Sequence, residues 1–386
     1  MSNYYFVLGS TPSLSFCELE AIFNKDQVVF RKLGSSVVEA ELVSDEVATS
    51  YLGILGGTIK VLKGLQPITK ASPELMLESV VDYLTNSSAK VEFGVGYFDQ
   101  QIPRLELSDI KKSLRDRGVA SRYFESSQFG LSAAIQLHQD QVIELGFVSD
   151  DQQLIMTRTL AVQDIDDWSK RDRSKPYADR KKGMLPPKVA RIMVNLALAK
   201  LDKPSPVLYD PFCGSGTILM EAVLRGCQTV VGTDIDSVAI DGTDQNLQWL
   251  QTEYKQDFIS LLSVADVSQV KLSGQVSEVD CIVTEPFLGK PKPNLKQVDN
   301  IFRGLEKLYL GAFNNWSRLL SDGGLVVVVL PLVKDGNQHH SFEKFIDKLG
   351  LRGYTREIGP VLYHRPQAVV ERQIFVLRFN KTNKKS

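Results

Sequence analysis

YDPFCGSGTILMEA, residues 209–222, is the stretch on which the reading of this 386-residue chain turns. VLYD (207–210) reads as a strand that delivers Asp210. A tight loop then runs through Gly214-Ser215-Gly216, and a helix starts near Thr217. Glycines in such a loop let a ligand approach the bare backbone, and the crevice of an α/β sheet lies outside the carboxyl ends of its strands. Two nucleotide readings fail here. A dinucleotide loop wants a third glycine three residues after the second, where this chain has Leu219, and without Gly-Lys-Ser/Thr there is no P-loop.

Outward from that stretch a strict alternation holds. TILMEAVLRG (217–226) predicts a helix, QTVVGTD (228–234) a strand and DSVAIDGTDQNLQWL (236–250) a helix. DCIVTEP (280–286) reads as a strand, IFRGLEKLYLGAFNNWSRLL (301–320) as a helix, GLVVVVLP (324–331) as a strand and SFEKFIDKLGL (341–351) as a helix. Strands alternating with helices imply a parallel sheet covered on both faces. TREIGPVLY (355–363) and RQIFVLRF (372–379) close the chain as two strands with a short connection, which predicts an antiparallel hairpin at one edge.

The first 160 residues have a different order. YYFVLGS (4–10), VVEAELV (37–43) and TIKVLKGL (58–65) predict strands. Ser15 and Glu18 have the spacing of a capping box that would open a helix over SFCELEAIF (15–23). Ser72-Pro73 opens SPELMLESVVDYLT (72–85), KVEFGVGYF (90–98) is a strand, and SDIKKSLRDRG (108–118) is a helix stopped by Gly118. AAIQLHQ (133–139), QVIELGFV (141–148) and QLIMTRTLAV (153–162) all read as strands. Between 164 and 187 the chain turns polar and loses hydrophobic periodicity, as an interdomain linker would, with Trp168 expected as a packing residue.

Composition sets limits. Apolar residues make up 43% and charged residues 24%, as in an ordinary globular protein. The formal net charge is −1, so contact with a nucleic acid has to come from a local basic patch. Cys17, Cys213, Cys227 and Cys281 are scattered without a Cys-x-x-Cys pair, which argues against structural zinc and a disulfide framework and fits a reducing cytosol. The N-terminus lacks a signal-peptide pattern, and the longest apolar run, LVVVVLPLV (325–333), is too short to span a bilayer. The expectation is a soluble, cytoplasmic protein with no metal and no membrane.

The Asp-Pro-Phe ahead of Gly-x-Gly resembles the first motif of S-adenosylmethionine-dependent methyltransferases. Asp234 ends the next strand about twenty residues on, where an acid can accept both ribose hydroxyl protons; Asp236 reads as the cap of the following helix. Asp266, in SVADVS, falls where a third strand should end. By resemblance it accepts from the adenine amino group while the Val267 N–H meets the ring. Asp210, Phe212, Gly214, Gly216, Thr217, Asp234, Ile235, Asp266, Val267 and Glu285 form the expected cofactor set.

The strand 280–284 ends in TEPFLG (284–289). Enzymes that methylate exocyclic amines usually carry Asp or Asn, Pro-Pro and an aromatic residue there. Such an amine is a poor nucleophile because its lone pair is conjugated into the ring. A carboxylate or amide and a backbone carbonyl accept its hydrogens, aim the lone pair at the methyl group and stabilise the developing charge, while an aromatic ring fixes the plane of the base. Here Glu285 supplies an acid one methylene longer, Pro286 rigidifies the turn and presents a carbonyl, and Phe287 offers a stacking face one position early. These three are the expected catalytic residues.

With DPFCGSGTILMEA, GTDID, the lead-in RKKGMLPPKVARIMVNLA (180–197) and the ending YHRPQAVVERQIFVLRF (363–379), the chain resembles the THUMP-containing tRNA guanosine N2-methyltransferases, which modify position ten of tRNA. The resemblance implies a mostly parallel Rossmann-like methyltransferase sheet at 188–381, a basic linker at 164–187, a THUMP-type RNA-binding domain at 51–163 and a ferredoxin-like unit at 1–50, the last two forming a smaller α/β module. It implies S-adenosylmethionine as cofactor and tRNA, or another structured RNA, as partner. The guanine would swing out of the RNA, and its N2 would take the methyl in one in-line displacement. Lys170, Arg171, Arg173, Lys175, Arg180, Lys181 and Lys182 are the expected phosphate-binding patch, against only Asp172 and Asp179. His364, in the hairpin turn, falls near the expected crevice. Two other readings stand beside this one: an amino-methyltransferase acting on rRNA or DNA, and a non-catalytic RNA-binding protein that keeps the fold. The family's eukaryotic branch uses an activating partner, a question this sequence leaves open.

Overall fold

The computed structural model describes all residues except 69–71, 99–100, 128–129, 140, 151–152, 180–183, 273, 275, 337, 364–367 and 385–386, with backbone only at 382–384. It divides into two compact units, Met1–Asp167 and Trp168–Ser386.

The first unit runs β1 (Ser2–Leu8), α1 (Pro12–Lys25), β2 (Phe30–Leu33), β3 (Val37–Leu42), α2 (Asp45–Ile54), β4 (Thr58–Ile68), α3 (Pro73–Thr85), β5 (Lys90–Tyr97), α4 (Leu107–Asp116), β6 (Ala120–Tyr123), α5 (Ala133–His138), β7 (Val142–Asp150) and β8 (Gln153–Val162). Its strands form one sheet in the order β2-β3-β1-β4-β8-β7-β5-β6. The segment β1 to β4 has the βαββαβ order of a ferredoxin-like unit. That arrangement closes only with β4, so the boundary expected at residue 50 falls inside it. Since β4 also pairs antiparallel with β8, the second half of the unit continues the same sheet.

Two local expectations fail here. Helix α1 starts at Pro12, and Ser15 lies within it, donating its hydroxyl to the Thr11 carbonyl at 3.0 Å. The buried Glu18 carboxylate accepts the amides of Gly56 and Gly57 at 2.9 and 2.8 Å, so it ties down the turn before β4 instead of capping α1. AAIQLHQ is not a strand. Residues 133–138 form α5, whose start is capped by the Ser132 side chain accepting from Ile135 N–H. A six-residue apolar run is ambiguous between the two periods, and the serine cap decides it.

Helix α6 (Ile165–Arg173) spans the division between the units. The second unit continues with α7 (Pro187–Leu198), β9 (Val207–Asp210), α8 (Thr217–Leu224), β10 (Thr229–Asp234), α9 (Ser237–Tyr254), β11 (Ile259–Val264), β12 (Val279–Thr284), α10 (Val298–Leu319), β13 (Leu320–Asp335), β14 (Gln338–His340), α11 (Glu343–Lys348), β15 (Arg352–Tyr363) and β16 (Val370–Lys384). Its sheet order is β11-β10-β9-β12-β13-β16-β15, with β14 paired to β13. The first five strands are parallel, and β16 and β15 are antiparallel, which places the expected hairpin at the edge. Both faces of the sheet are covered, so the Leu325–Val329 run of β13 is wholly buried. Strand order reverses between β9 and β12. In an open α/β sheet this is where a ligand crevice forms.

Candidate functional site

Asp210, the last residue of β9, is buried at that reversal. Its Oδ1 accepts from Thr284 Oγ1, at the end of β12, at 2.7 Å and from Phe212 N at 3.1 Å. Burial pushes the Asp210 carboxyl up to about 7. The charges of Asp234 and Glu285 add to that rise, while the Thr284 and Phe212 hydrogen bonds oppose it. Beyond their backbone pairing, the two strands flanking the crevice are thus tied at their ends by a carboxyl–hydroxyl contact.

The glycines of the loop have different reasons to be glycine. Both have positive φ, +52° at Gly214 and +74° at Gly216. A Cβ on Gly214 would meet nothing nearer than the Phe212 carbonyl at 4.0 Å, so that bare backbone faces open space. A Cβ on Gly216 would lie 2.8 Å from the Thr243 methyl, so that glycine serves packing. Asn246 donates to the carbonyls of Ser215 at 2.8 Å and Tyr177 at 2.9 Å, and so braces the loop against the segment before α7.

Asp234 ends β10 and is half-buried. Its Oδ2 accepts from Gly214 N and its Oδ1 from Asp236 N, each at 3.0 Å. Each oxygen keeps a second lone pair for a ligand hydroxyl. Asp236 caps α9 as expected, accepting from Val238 N–H. Ile235 is 75% exposed beside them. Past the end of β11, Asp266 is exposed and accepts from Ser268 N at 2.8 Å and Ser268 Oγ at 2.7 Å, contacts that hold its carboxyl below the usual range. Val267 is buried, and its carbonyl accepts from Asn315 Nδ2 at 3.0 Å. Phe212 packs on the core beneath the sheet's end.

The TEPFLG loop leaves β12 at the same crevice, and its side chains part company. Leu288 packs onto Val298, Val333 and Val370. Phe287 remains 61% exposed, while its carbonyl accepts from the buried Tyr309 hydroxyl at 2.8 Å. Burial, and then the Glu285 charge, push that phenol's pKa up, so it stays a donor. Pro286 is buried. Glu285 Oε1 accepts from Arg372 Nε of β16 at 2.6 Å, and the two side chains are only 13% and 14% exposed. Among the described residues, no hydrogen bond reaches the other carboxylate oxygen or the two terminal nitrogens of Arg372. Arg372, Tyr309 and Thr284 were not singled out from the sequence. Only the position of Thr284 at a strand end hinted at a role; Arg372 is 87 residues from its partner.

The expected basic linker needs correction. Ile165–Arg173 is helical, and two cations of the expected linker, Arg171 in that helix and Lys175 after it, are interior. Arg171 Nε donates to Glu221 Oε1 at 2.7 Å, Arg191 Nε donates to Glu221 Oε2 at 2.8 Å, and the Arg171 guanidinium lies 4.2 Å from the Trp168 ring centre. Lys175, 5% exposed, donates to Thr217 Oγ1 at 2.7 Å and Ser215 Oγ at 3.3 Å, which makes it a brace under the glycine loop. Burial pulls its ammonium down to about 8. Lys170 pairs with Glu253. Neither Arg171 nor Lys175 can present charge to a phosphate surface. Arg173 is exposed, and Arg180, Lys181, Lys182 and His364 lie outside the described residues.

The bare backbone at Gly214, the open lone pairs of Asp234 and the buried acid at Asp210 fit a nucleoside with an amino-acid tail. Among the described residues, no cluster of His, Cys, Asp and Glu could hold a metal, and no helix is long and apolar enough to cross a membrane. Comparison with known proteins agrees with this geometry. The family model of the RMKL-like methyltransferase domain matches residues 176–360. The tRNA (guanine(10)-N2)-dimethyltransferase of Methanothermobacter thermautotrophicus is 34% identical over 221 residues, 57% of this chain and 57% of that one. A Methanothermococcus thermolithotrophicus protein named "Probable tRNA (guanine(10)-N2)-dimethyltransferase" is 32% identical over 118 residues, 31% of this chain and 70% of its own. The chain spans 35% of the length of the Methanocaldococcus jannaschii relative, so these matches cover parts of whole proteins. TrmN from Thermus thermophilus shares the fold over 98% of this chain and 100% of its own, with a TM-score of 0.60 at 16% identity. SMU.472 complexed with SAH does so over 97% of both, with a TM-score of 0.52 at 11% identity. The chain belongs to the family of the tRNA (guanine(10)-N2)-dimethyltransferases.

Proposed function

We propose that this chain is an S-adenosylmethionine-dependent RNA methyltransferase that methylates the exocyclic N2 amine of a guanosine in tRNA. The observation that carries the reading is the Glu285 carboxylate, with one oxygen fixed by Arg372 at 2.6 Å and the other open, on a loop whose Phe287 ring is exposed. Such an acid is a preorganised acceptor for an amine held in the plane of a stacked base. Arg372 compensates for the added methylene of Glu285 by holding the longer side chain in one orientation. The Tyr309 hydroxyl fixes the loop through the Phe287 carbonyl.

S-adenosylmethionine supplies the electrophilic methyl when bound. Gly214 would offer it bare backbone beside Asp210 and Phe212, with Gly216 and Thr217 shaping the loop through their packing on Thr243 and Lys175. Asp234 takes the ribose hydroxyls, Ile235 flanks the adenine, and Asp266 with the Val267 amide reads its edge. Glu285 would serve both the donor and the acceptor through its open oxygen. The part of the first unit that follows β4 acts as its THUMP-type portion, and the four cysteines, all free, suit a cytoplasmic site of action.

The test is a panel of unmodified tRNA transcripts, rRNA fragments and DNA, incubated with labelled cofactor and followed by nucleoside mass spectrometry. N2-methylguanosine from tRNA alone is the expected product. Methylated adenine or cytosine, or product from rRNA or DNA only, would overturn the acceptor assignment.

A further inference from the structure

Lys175 lies inside the second unit, and its charge there needs an account. An ammonium has three donors. Two of them go to Thr217 Oγ1 at 2.7 Å and Ser215 Oγ at 3.3 Å. Among the described residues no carboxylate bonds it. The acids whose charges favour it are Asp172 and Glu221, and Glu221 spends both oxygens on Arg171 and Arg191. A cation so buried with only neutral partners is costly, and its pKa is lowered accordingly.

The segment that carries Lys175 is fastened in place. Tyr177 N donates to Asn246 Oδ1 at 2.8 Å, and Asn246 Nδ2 donates back to the carbonyls of Tyr177 and Ser215. The Tyr177 ring lies against Gly242 of α9, where any Cβ would collide with it. Lys175, the glycine loop and α9 therefore hold one arrangement without a ligand.

Sheet order supplies the missing anion. Strand β9 lies between β10 and β12. A cofactor with its ribose on Asp234, at the end of β10, and its methyl toward Glu285, just past the end of β12, lays its amino-acid tail over the loop that follows β9. That tail ends in a carboxylate. Each hydroxyl that accepts from Lys175 keeps its own proton to donate, and Ser215 directly follows the bare backbone of Gly214. Two hydroxyl donors backed by a buried cation match a carboxylate in both hydrogen bonding and charge.

From this we infer that Lys175, Ser215 and Thr217 form the seat for the carboxylate of the S-adenosylmethionine tail, with the two hydroxyls in contact and the ammonium behind them. The inference rests on the reading of the chain as an S-adenosylmethionine-dependent methyltransferase. Lys175 is then a positioning residue. It sets cofactor affinity and the placement of the sulfonium, and takes no part in choosing the RNA.

The experiment measures, by calorimetry on the full chain, affinity for S-adenosylmethionine and for its decarboxylated analogue. The proteins are wild type, Lys175→Met and Thr217→Val, with thermal unfolding of each. Wild type should bind the analogue about 10- to 100-fold more weakly, the loss expected for a charge-assisted contact. Lys175→Met should lose a similar factor for S-adenosylmethionine and little for the analogue, because the group it would have met is already gone. Thr217→Val should show the same selectivity with a smaller loss. Lys175→Met should unfold no earlier than wild type, since it removes a buried charge that has no bonded counter-charge in the free protein. Equal losses for the two ligands in Lys175→Met would overturn the inference and leave Lys175 a brace of the loop. So would a wild type that binds both ligands alike, for the carboxylate then has no seat. A wild type that binds neither would sink the methyltransferase reading, and the seat with it.

Discussion

Asp210 shows how a single residue couples the fold to its ligand crevice. A carboxyl so buried ionises only near 7, whereas an unfolded aspartate does so near about 4. Between those values the native protein holds a proton that the unfolded chain has released. Stability therefore falls as pH rises through the window and levels off above it. Asp210→Asn keeps an Oδ1 acceptor for Thr284 and Phe212 but cannot ionise. Thermal unfolding from about pH 5 to about pH 8 should show a decline in the wild type that is shallower in this variant; equal slopes would mean the carboxyl is ionised throughout. At this scale the glycine loop, Asp234 and the Asp236 cap were legible in the sequence, because each depends on neighbours within a few residues. The Glu285–Arg372 pair was not. It joins the ends of two strands 87 residues apart, and spacing along the chain carries no trace of it.

Helix α6 and the segment after it illustrate the limits of pattern at the scale of elements. Hydrophobic periodicity marked 164–187 as a linker because its residues are polar. What holds α6 in place is a charge and ring cluster: Arg171 and Arg191 on Glu221, with Trp168 stacked against Arg171. Glu221 is 1% exposed and accepts from both guanidinium groups, so its loss removes the buried carboxylate that the two cations share. Glu221→Ala should cost about 3–5 kcal/mol in denaturant unfolding, as expected for breaking a buried ion network from one side. A cost below about 1 kcal/mol would mean that water reaches the cluster and α6 is held by other contacts. The same limit explains Glu18. Its spacing from Ser15 suggested a local cap, while its partners, the amides of Gly56 and Gly57, come from a distant turn. The strand–helix alternation after residue 200 was legible almost throughout, because most elements there are long enough to display their period or are bounded by turn residues.

At the scale of the whole molecule, near-neutral net charge leaves the holding of any polyanion to local arrangements. The second unit gathers the carboxylates of Asp210, Asp234 and Glu285 at or just past the strand ends of its sheet. The central claim is that TEPFLG is a working catalytic loop with a longer acid. Its most direct test is single-turnover methyl transfer to unmodified tRNA by wild type, Glu285→Ala and Arg372→Gln, with cofactor affinity measured on each protein. The account predicts N2-methylguanosine from wild type and a fall of about 100-fold or more in Glu285→Ala, as for other lost transition-state contacts. It predicts a smaller fall in Arg372→Gln and unchanged cofactor affinity in both. Undiminished transfer by Glu285→Ala, or a wild type that binds cofactor and modifies no tRNA, would contradict it.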